Sequence, residues 1–152
     1  ELVKSLGADI VIDFKTQDFE TLLKDYDLVL NSQDEKTLEK SLRVLKLGGK
    51  VISISGPPDT AFAKKIGLSW FMETAIFFLS NKVRKQAKKL NVDYSFLFMK
   101  ANGKQLSEIG KLIETGVIRP VVDKVFPFEQ INEAISYVSS GRAKGKVIVK
   151  VK

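Results

Sequence analysis

Residues 26–55 read YDLVLNSQDEKTLEKSLRVLKLGGKVISIS, and this stretch decides the fold. Residues 26–30 form a short apolar run closed by polar residues, which predicts a buried strand. Leucines at helical spacing follow and end at two glycines, which predicts a helix over residues 35–47. Residues 50–55 predict another strand. A strand, a helix and a strand with tight connections indicate a parallel sheet that carries helices on its faces.

The flanking sequence continues this alternation. Upstream, it predicts a helix end closed by Gly7, a buried strand over residues 9–14 and a helix over residues 18–24 that Asp18 caps. Downstream, residues 55–58 must form a loop because they fit neither regular structure. The later segments predict a long helix at about 68–90, a strand at about 93–99, a helix at 104–114, an extended run at 119–128, a helix at 129–139 and a strand at 146–151.

The composition excludes several kinds of chemistry. The chain has 152 residues, of which 44% are hydrophobic and 28% charged, so it contains enough apolar material for one globular domain. It has no cysteine and no histidine, which excludes disulfides, thiol nucleophiles and His-based catalytic triads. The acidic residues show no cluster with the spacing of metal ligands. We therefore expect no metal site.

The net charge of +7 suits an anionic partner, and charge alone leaves open a nucleic acid, a membrane surface or a phosphorylated cofactor. The excess is densest over residues 82–89, where five of eight residues are Lys or Arg. A solvated helix end explains such a cluster as well as binding does. A basic nucleic-acid-binding module is the alternative function, but it is disfavoured because no aromatic residues are interleaved with these cations.

The longest apolar run, WFMETAIFFL, covers residues 70–79. It contains Glu73 and is shorter than the roughly 20 residues that a membrane-spanning helix needs. We therefore expect a core or interface helix and no membrane partner. Its apolar face should pack against another chain or against a domain outside this chain. Because the chain starts with Glu1 inside a helix end, we also expect it to begin within a larger protein.

Four short strings in a fixed order resemble a known family. They are KSLGAD at 4–9, LKLGGKV at 45–51, GVIRP at 116–120 leading to FPF at 126–128, and GRAKGKVIV at 141–149. Together they resemble the C-terminal, nucleotide-binding half of medium-chain dehydrogenases, in particular the zinc-independent quinone oxidoreductase branch. The resemblance covers essentially the whole chain.

The resemblance implies an α/β fold: a partial Rossmann-type, doubly wound parallel sheet with helices on both faces that lacks its first βαβ unit. Residues 1–152 would be the C-terminal part of a dinucleotide-binding domain, with the region at about 119–152 returning toward a catalytic domain outside this chain. The implied activity is hydride transfer from NADPH, with NADH not excluded, to a quinone or an activated alkene. A homodimer and a cytoplasmic location are further expectations, and the chain alone is expected to be inactive.

The resemblance also implies cofactor contacts where parallel strands end, because ligands of such sheets bind beyond the carboxyl ends of the strands. Phe14 aligns with a position beside the adenosine, although a strand-end core aromatic is the alternative. Asn31 and Ser32 follow the strand over residues 26–30, where simple helix capping is the alternative role. Arg142 would place a cation near a phosphate or the substrate, with Lys144 nearly as suitable and a plain loop charge as the alternative.

The strongest candidate site is the loop of Ser55, Gly56 and Pro57. Gly56 would let the backbone approach the dinucleotide, and Ser55 can hydrogen-bond a ribose or amide oxygen, whereas a plain turn is the alternative. The next strand in the family faces the nicotinamide carboxamide with its backbone, and it matches three residues whose side chains also fit an ordinary core: Phe96, Leu97 and Phe98. We expect no catalytic acid or base, since the cofactor carries the chemistry.

Overall fold

The computed structural model describes residues 1–151, which fall into two compact units divided after Met99. The first unit contains a three-stranded sheet of order β1-β2-β3, in which all neighbours are parallel. Its elements are α1 Leu2–Ser5, α2 Phe19–Leu22, β1 Tyr26–Asn31, α3 Glu35–Arg43, β2 Leu45–Ser53, α4 Thr60–Lys65, α5 Trp70–Leu79, α6 Asn81–Lys89 and β3 Asp93–Phe96. The predicted α/β class with a parallel sheet is confirmed.

The core of the first unit lies between the sheet and helices α3 and α6. Leu38 and Leu42 of α3 and Val83 of α6 pack against Val51 at the centre of β2, and all four are buried. The opposite face of β1 is open, since Leu28 and Leu30 are 55% and 66% exposed there. Among the described residues, the apolar periodicity of α3 and α6 is therefore satisfied on one face of this sheet.

Residues 9–14 do not form the predicted strand. Within residues 1–151 no strand pairs with this segment, and Ile10 and Phe14 are 61% and 85% exposed. Asp13 instead accepts backbone N–H bonds from Lys15, Thr16 and Gln17, which makes a turn. A β-branched run fits a strand only where a neighbour supplies the ladder, and sequence pattern does not reveal that neighbour.

The helix predicted over 35–47 ends at Arg43, and β2 already begins at Leu45. The glycines that suggested a helix stop lie inside β2, where Gly48 has a φ of 75°. The register with β1 shifts at this point, between the pairs Tyr26–Leu45 and Leu28–Lys50. The two glycines therefore form a strand irregularity rather than a helix cap.

The long helix predicted at about 68–90 is divided into α5 and α6 at the buried Ser80. The Ser80 hydroxyl donates to the Ile76 carbonyl over 2.8 Å, so this side chain bonds to the helix that it ends. A further helix, α4, precedes them and was not predicted. The strand expected at 93–99 is shorter, because β3 ends at Phe96.

The second unit holds α7 Gly103–Glu114, β4 Val122–Pro127, a 3₁₀ turn at Phe128–Gln130, α8 Ile131–Ser139 and β5 Lys146–Lys150. Strands β4 and β5 pair in parallel, with α8 as their crossover. Ala134 of α8 is buried. The helices predicted at 104–114 and 129–139 and the strand predicted at 146–151 are confirmed apart from their ends. The extended run predicted at 119–128 contains the strand β4. Within residues 1–151 no helix has the length and apolar character needed to cross a membrane.

Candidate functional site

A buried polar pair joins the carboxyl ends of β1 and β2. Asn31 is 2% exposed and Ser53 is fully buried. The Ser53 hydroxyl donates to Asn31 Oδ1 over 2.8 Å, and it accepts the Gly56 N–H over 2.8 Å. Asn31 Nδ2 is buried and has no hydrogen-bond partner among the described residues. Since a buried donor without a partner costs free energy, this orphaned amide marks the strand ends as a place for a further acceptor.

The hydroxyl of Ser55 ties the same two strand ends together from the solvent side. It bonds the carbonyl of Gln33, and it lies 3.3 Å from Asn31 Oδ1. Ser55 and Ser32 are both exposed at this edge of the sheet. The structure therefore brings together Asn31, Ser32 and Ser55, which sequence reasoning placed at two separate strand ends.

Gly56 has a different role from the one expected. A β-carbon built at Gly56 would lie 2.9 Å from Leu38 Cδ2, Ser53 Oγ and Tyr94 Oη. The missing side chain makes room for the protein's own atoms, so a bulky substitution would strain the first unit itself. The expectation that the absent side chain mainly leaves space for a dinucleotide is not what this packing indicates.

Asp59 and Tyr94 hold the loop that follows β2, and sequence reasoning missed both. The buried Asp59 caps α4 by accepting the Phe62 N–H over 2.7 Å, and its second oxygen accepts the Phe96 N–H over 2.9 Å. Tyr94 donates to the Pro57 carbonyl over 2.5 Å. Burial, with a smaller effect of the Asp59 charge, raises the pKa of Tyr94, so it stays a neutral donor. An aspartate just after two prolines is an N-cap signal that was available in the sequence.

The end of β3 carries a cluster of aromatic side chains. Phe62 of α4 lies 5.1 Å from Phe96 and 5.9 Å from Phe98 between ring centroids. The Leu97 N–H donates to the Ser53 carbonyl over 2.9 Å, which continues the ladder past the strand end. Leu97 and Phe98 are exposed, so two of the three predicted positions present side chains to solvent rather than to a core.

Phe14 lies in a groove of about 540 Å³ beside the start of α3. Three lysines and two carboxylates line the same groove: Lys15, Lys36, Lys40, Asp18 and Asp34. The ammonium of Lys40 pairs with Asp18, and this hydrogen bond is the main reason that the pKa of Asp18 is lowered. An exposed aromatic ring of this kind is suited to stacking on a planar ligand such as a base.

A cavity of about 230 Å³ lies behind the Ser55–Gly56–Pro57 loop, between α3 and the helices α5 and α6. Lys82 bridges two glutamates on the cavity wall: its Nζ lies 2.8 Å from Glu35 Oε1 and 2.6 Å from Glu39 Oε1. The bond from Lys82 is the main cause that lowers the pKa of Glu39. Lys82 therefore neutralises one of the two carboxylates along this wall.

Arg142 lies in the second unit, in an open groove of about 590 Å³ that Lys124 also lines. Asp123 anchors the neighbouring loop, since it accepts the Tyr137 hydroxyl over 2.8 Å and the Lys144 N–H over 3.1 Å. Arg142 thus faces a groove, whereas Lys144 is fixed through its backbone. Within residues 1–151 no group of three His, Cys, Asp or Glu side chains is placed to hold a metal ion.

Comparison with known proteins identifies relatives along nearly the whole chain. A family model described as zinc-binding dehydrogenase matches residues 6–149. The mitochondrial NAD(P)H oxidoreductase RTN4IP1 of Danio rerio is 34% identical over 99% of this chain and 40% of its own length. The 2-methylene-furan-3-one reductase of Solanum lycopersicum is 30% identical over 98% of this chain and 30% of its own length. The chain therefore spans about 30–40% of these relatives.

Solved structures support the same fold. The quinone oxidoreductase of Coxiella burnetii superposes with a TM-score of 0.75 at 20% identity, over 99% of this chain and 41% of that one. The CurK enoyl reductase superposes with a TM-score of 0.65 at 23% identity, over 99% of this chain and 44% of that one. At these identities the superpositions describe the fold and leave the activity open.

The same comparison contradicts the expectation of a cytoplasmic location. The RTN4IP1 proteins of Danio rerio, Bos taurus and Homo sapiens, 32–34% identical to this chain, all bear the name mitochondrial. The composition of the chain contains no residue pattern that would have indicated this location.

Proposed function

The chain belongs to the zinc-binding dehydrogenase family of the medium-chain dehydrogenase superfamily, and we propose that it is the nucleotide-binding part of an NAD(P)H-dependent oxidoreductase that reduces a quinone or an activated alkene. The family relationship rests on the match over residues 6–149. The substrate class is supported by relatives named as a 2-methylene-furan-3-one reductase and an NADPH-dependent alkenal/one oxidoreductase.

The observation that carries the proposal is the polar edge formed by Asn31, Ser32 and Ser55. These residues lie where two parallel strands end, and that edge is where open α/β sheets bind their ligands. Within residues 1–151 the buried side-chain nitrogen of Asn31 has no hydrogen-bond partner, and Ser32 and Ser55 are exposed residues beside it. Hydroxyl and amide groups of this kind suit the ribose and amide oxygens of a dinucleotide.

The first unit offers candidates for other portions of the cofactor. The exposed ring of Phe14 would lie against the adenosine, with Lys15 and Lys36 near its phosphates. The backbone at Leu97 and Phe98 would face the carboxamide. Arg142 belongs to the second unit, and we propose separately that it meets a phosphate or an anionic substrate. NADP is proposed ahead of NAD because the relatives include an NADPH-dependent alkenal/one oxidoreductase.

The bound dinucleotide would supply the hydride, and this chain's residues would orient it. The first unit offers hydroxyls, a buried amide and an aromatic ring, and none of these groups needs to accept or release a proton at neutral pH. No zinc chemistry is assigned to this chain, since the zinc donors His and Cys are absent from its sequence. We further propose that the chain alone does not turn over substrate. We also propose that the protein forms a homodimer, which light scattering would test.

Titration of NADPH fluorescence tests the proposal. Phe14→Ala should weaken NADPH binding about tenfold, since stacking of a base on an aromatic ring contributes about 1–3 kcal/mol. Phe128→Ala is a matched control because Phe128 is also an exposed aromatic, located in the second unit. Equal NADPH affinity in wild type and Phe14→Ala would remove Phe14 from the site. Failure of every form of the protein to bind NADPH and NADH would contradict the proposed function.

A further inference from the structure

The loop after β2 is tied to β3 by a side chain of that strand. Pro57 and Pro58 lie in the middle of this loop, and neither supplies a backbone N–H. The Pro57 carbonyl accepts the Tyr94 hydroxyl over 2.5 Å. Gly56 lies against the same hydroxyl, since a β-carbon built there would be 2.9 Å from Tyr94 Oη. Tyr94 thus gives the loop a fixed contact with β3.

Asp59 makes a second connection between the loop and β3. Its side chain is buried, and its two oxygens bond backbone groups of different elements. Oδ1 accepts the Phe62 N–H of α4 over 2.7 Å, and Oδ2 accepts the Phe96 N–H of β3 over 2.9 Å. Because each bond uses a separate acceptor oxygen, an amide side chain could keep only one of them.

These bonds hold two candidate cofactor segments in a fixed relation to each other. The first segment is the loop over residues 55–57, and the second is the backbone at Leu97 and Phe98. The Leu97 N–H also donates to the Ser53 carbonyl over 2.9 Å, which ties the second segment to β2. A ligand that contacts both segments binds more tightly when their spacing is already set, because less ordering is then required on binding.

We propose that Tyr94 and Asp59 are positioning residues for the nicotinamide portion of the cofactor, which they serve by holding these two segments at a fixed spacing. Neither side chain needs to touch the cofactor, since each acts through the backbone group that it bonds. The inference rests on the proposed function, because it requires that the two segments bind a nicotinamide dinucleotide. It predicts a loss of affinity confined to the nicotinamide end, with the adenosine end at Phe14 unaffected.

Calorimetric titration with two ligands tests this. NADPH contains the nicotinamide, and 2′-phospho-ADP-ribose is the same molecule without it. Tyr94→Phe removes only the hydroxyl and should weaken NADPH binding at least about fivefold, the effect of one lost hydrogen bond. The affinity of this variant for 2′-phospho-ADP-ribose should stay within about twofold of wild type. A residue that only stabilises the fold would change the affinity for both ligands or for neither.

Tyr26→Phe is the matched control for Tyr94→Phe. It removes a tyrosine hydroxyl from the same unit, at the start of β1, whereas the loop lies at the opposite ends of the strands. Its affinity for both ligands should stay within about twofold of wild type.

Asp59→Asn is the second test variant. Asparagine keeps one acceptor oxygen and can still cap α4, but its amide nitrogen cannot accept the Phe96 N–H. Asp59→Asn should therefore show the same loss for NADPH and the same unchanged affinity for 2′-phospho-ADP-ribose. Asp93→Asn is its control, because it removes a carboxylate from the exposed start of β3.

Hydrogen exchange supplies a readout that needs no ligand. The backbone amides of residues 54–60 should exchange at least about threefold faster in Tyr94→Phe than in wild type, and at the wild-type rate in Tyr26→Phe. Urea unfolding establishes that each variant is folded under the conditions of the titrations. If Asp59→Asn does not fold, Tyr94→Phe alone decides the outcome, since it keeps the ring and the carboxylate.

Three outcomes would overturn the proposal. The first is an NADPH affinity of Tyr94→Phe equal to that of wild type. The second is an equal loss of affinity for the two ligands, which would make the role structural only. The third is a wild-type protein that binds NADPH no more tightly than 2′-phospho-ADP-ribose, because the nicotinamide would then make no favourable contact. Failure of wild type to bind either ligand is a different result, which would contradict the proposed function itself and the positioning role with it.

Discussion

Ser53 donates its hydroxyl to Asn31 Oδ1 over 2.8 Å, and this bond between two buried side chains joins the carboxyl ends of adjacent parallel strands. The same serine accepts the Gly56 N–H, so one hydroxyl connects β1, β2 and the loop after β2. The edge proposed to bind the dinucleotide is therefore built on a rigid polar support rather than on a free loop.

Replacing Asn31 with alanine should destabilise the first unit by about 1–3 kcal/mol, because the buried Ser53 hydroxyl would lose its acceptor. Urea unfolding followed by circular dichroism measures the loss. Ser32→Ala, next to it but exposed, should change the free energy of unfolding by less than about 0.5 kcal/mol. Equal effects of the two substitutions would show that the buried pair adds no stability.

Gly56→Ala should also destabilise the first unit, since its β-carbon would lie 2.9 Å from three atoms of the protein. Overpacking of this kind costs about 1–3 kcal/mol. Gly110→Ala is the control: no atom lies within 4 Å of its built β-carbon, and alanine should favour helix α7 by about 1 kcal/mol. Thermal melting should shift down for Gly56→Ala and up for Gly110→Ala. A Gly56→Ala protein as stable as wild type would mean that the loop relaxes freely.

The sequence predicted the β1–α3–β2 unit because its apolar spacing matches the burial of Leu38, Leu42 and Val51. It did not predict the edges of that unit, where partners distant in sequence decide the outcome. Residues 9–14 have a strand pattern without a paired strand, and Gly48 ends no helix because the register shift with β1 needs a residue with positive φ.

In the candidate site, too, the sequence indicated local features but not contacts between residues distant in sequence. Asn31, Ser32 and Ser55 were identifiable as polar residues at strand ends, and the parallel topology brings them together. Asp59 and Tyr94 were not identifiable as supports, because their bonds to Phe96 and Pro57 each span 37 residues. Local patterns report caps and periodicity, whereas contacts across such distances depend on the complete fold.

The pH dependence of the second unit should involve Asp123. The Tyr137 hydroxyl, followed by the Lys144 N–H, lowers the pKa of Asp123. Because the pKa is lower in the folded state, the stabilisation is complete above the unfolded value of about 3.9 and is lost as the pH falls through the folded pKa. Asp123→Asn should therefore be less stable than wild type at neutral pH, and the difference should shrink in acid.

Urea unfolding at neutral pH and at about pH 3 measures this difference. Tyr137→Phe removes the same bond from the other side, so it should reproduce part of the effect. The double variant should lose less than the sum of the two single losses. A difference between wild type and Asp123→Asn that is the same at both pH values would contradict the assignment.

The structure distinguishes Arg142 from Lys144, two residues that the sequence left nearly equivalent as candidate contacts. Arg142 lines the groove shared with Lys124, whereas the Lys144 N–H is bound to Asp123.

If a phosphate of the cofactor or an anionic substrate is bound in this groove, Arg142→Ala should weaken binding about tenfold, because a guanidinium contributes charge-assisted, two-pronged hydrogen bonds. Arg142→Lys should recover only part of this loss, since an ammonium acts as a point charge. Lys144→Ala, which keeps the backbone bond, should bind within about twofold of wild type. Titration of NADPH and NADH against the three variants measures these changes, and a larger loss in Lys144→Ala than in Arg142→Ala would assign the contact to Lys144.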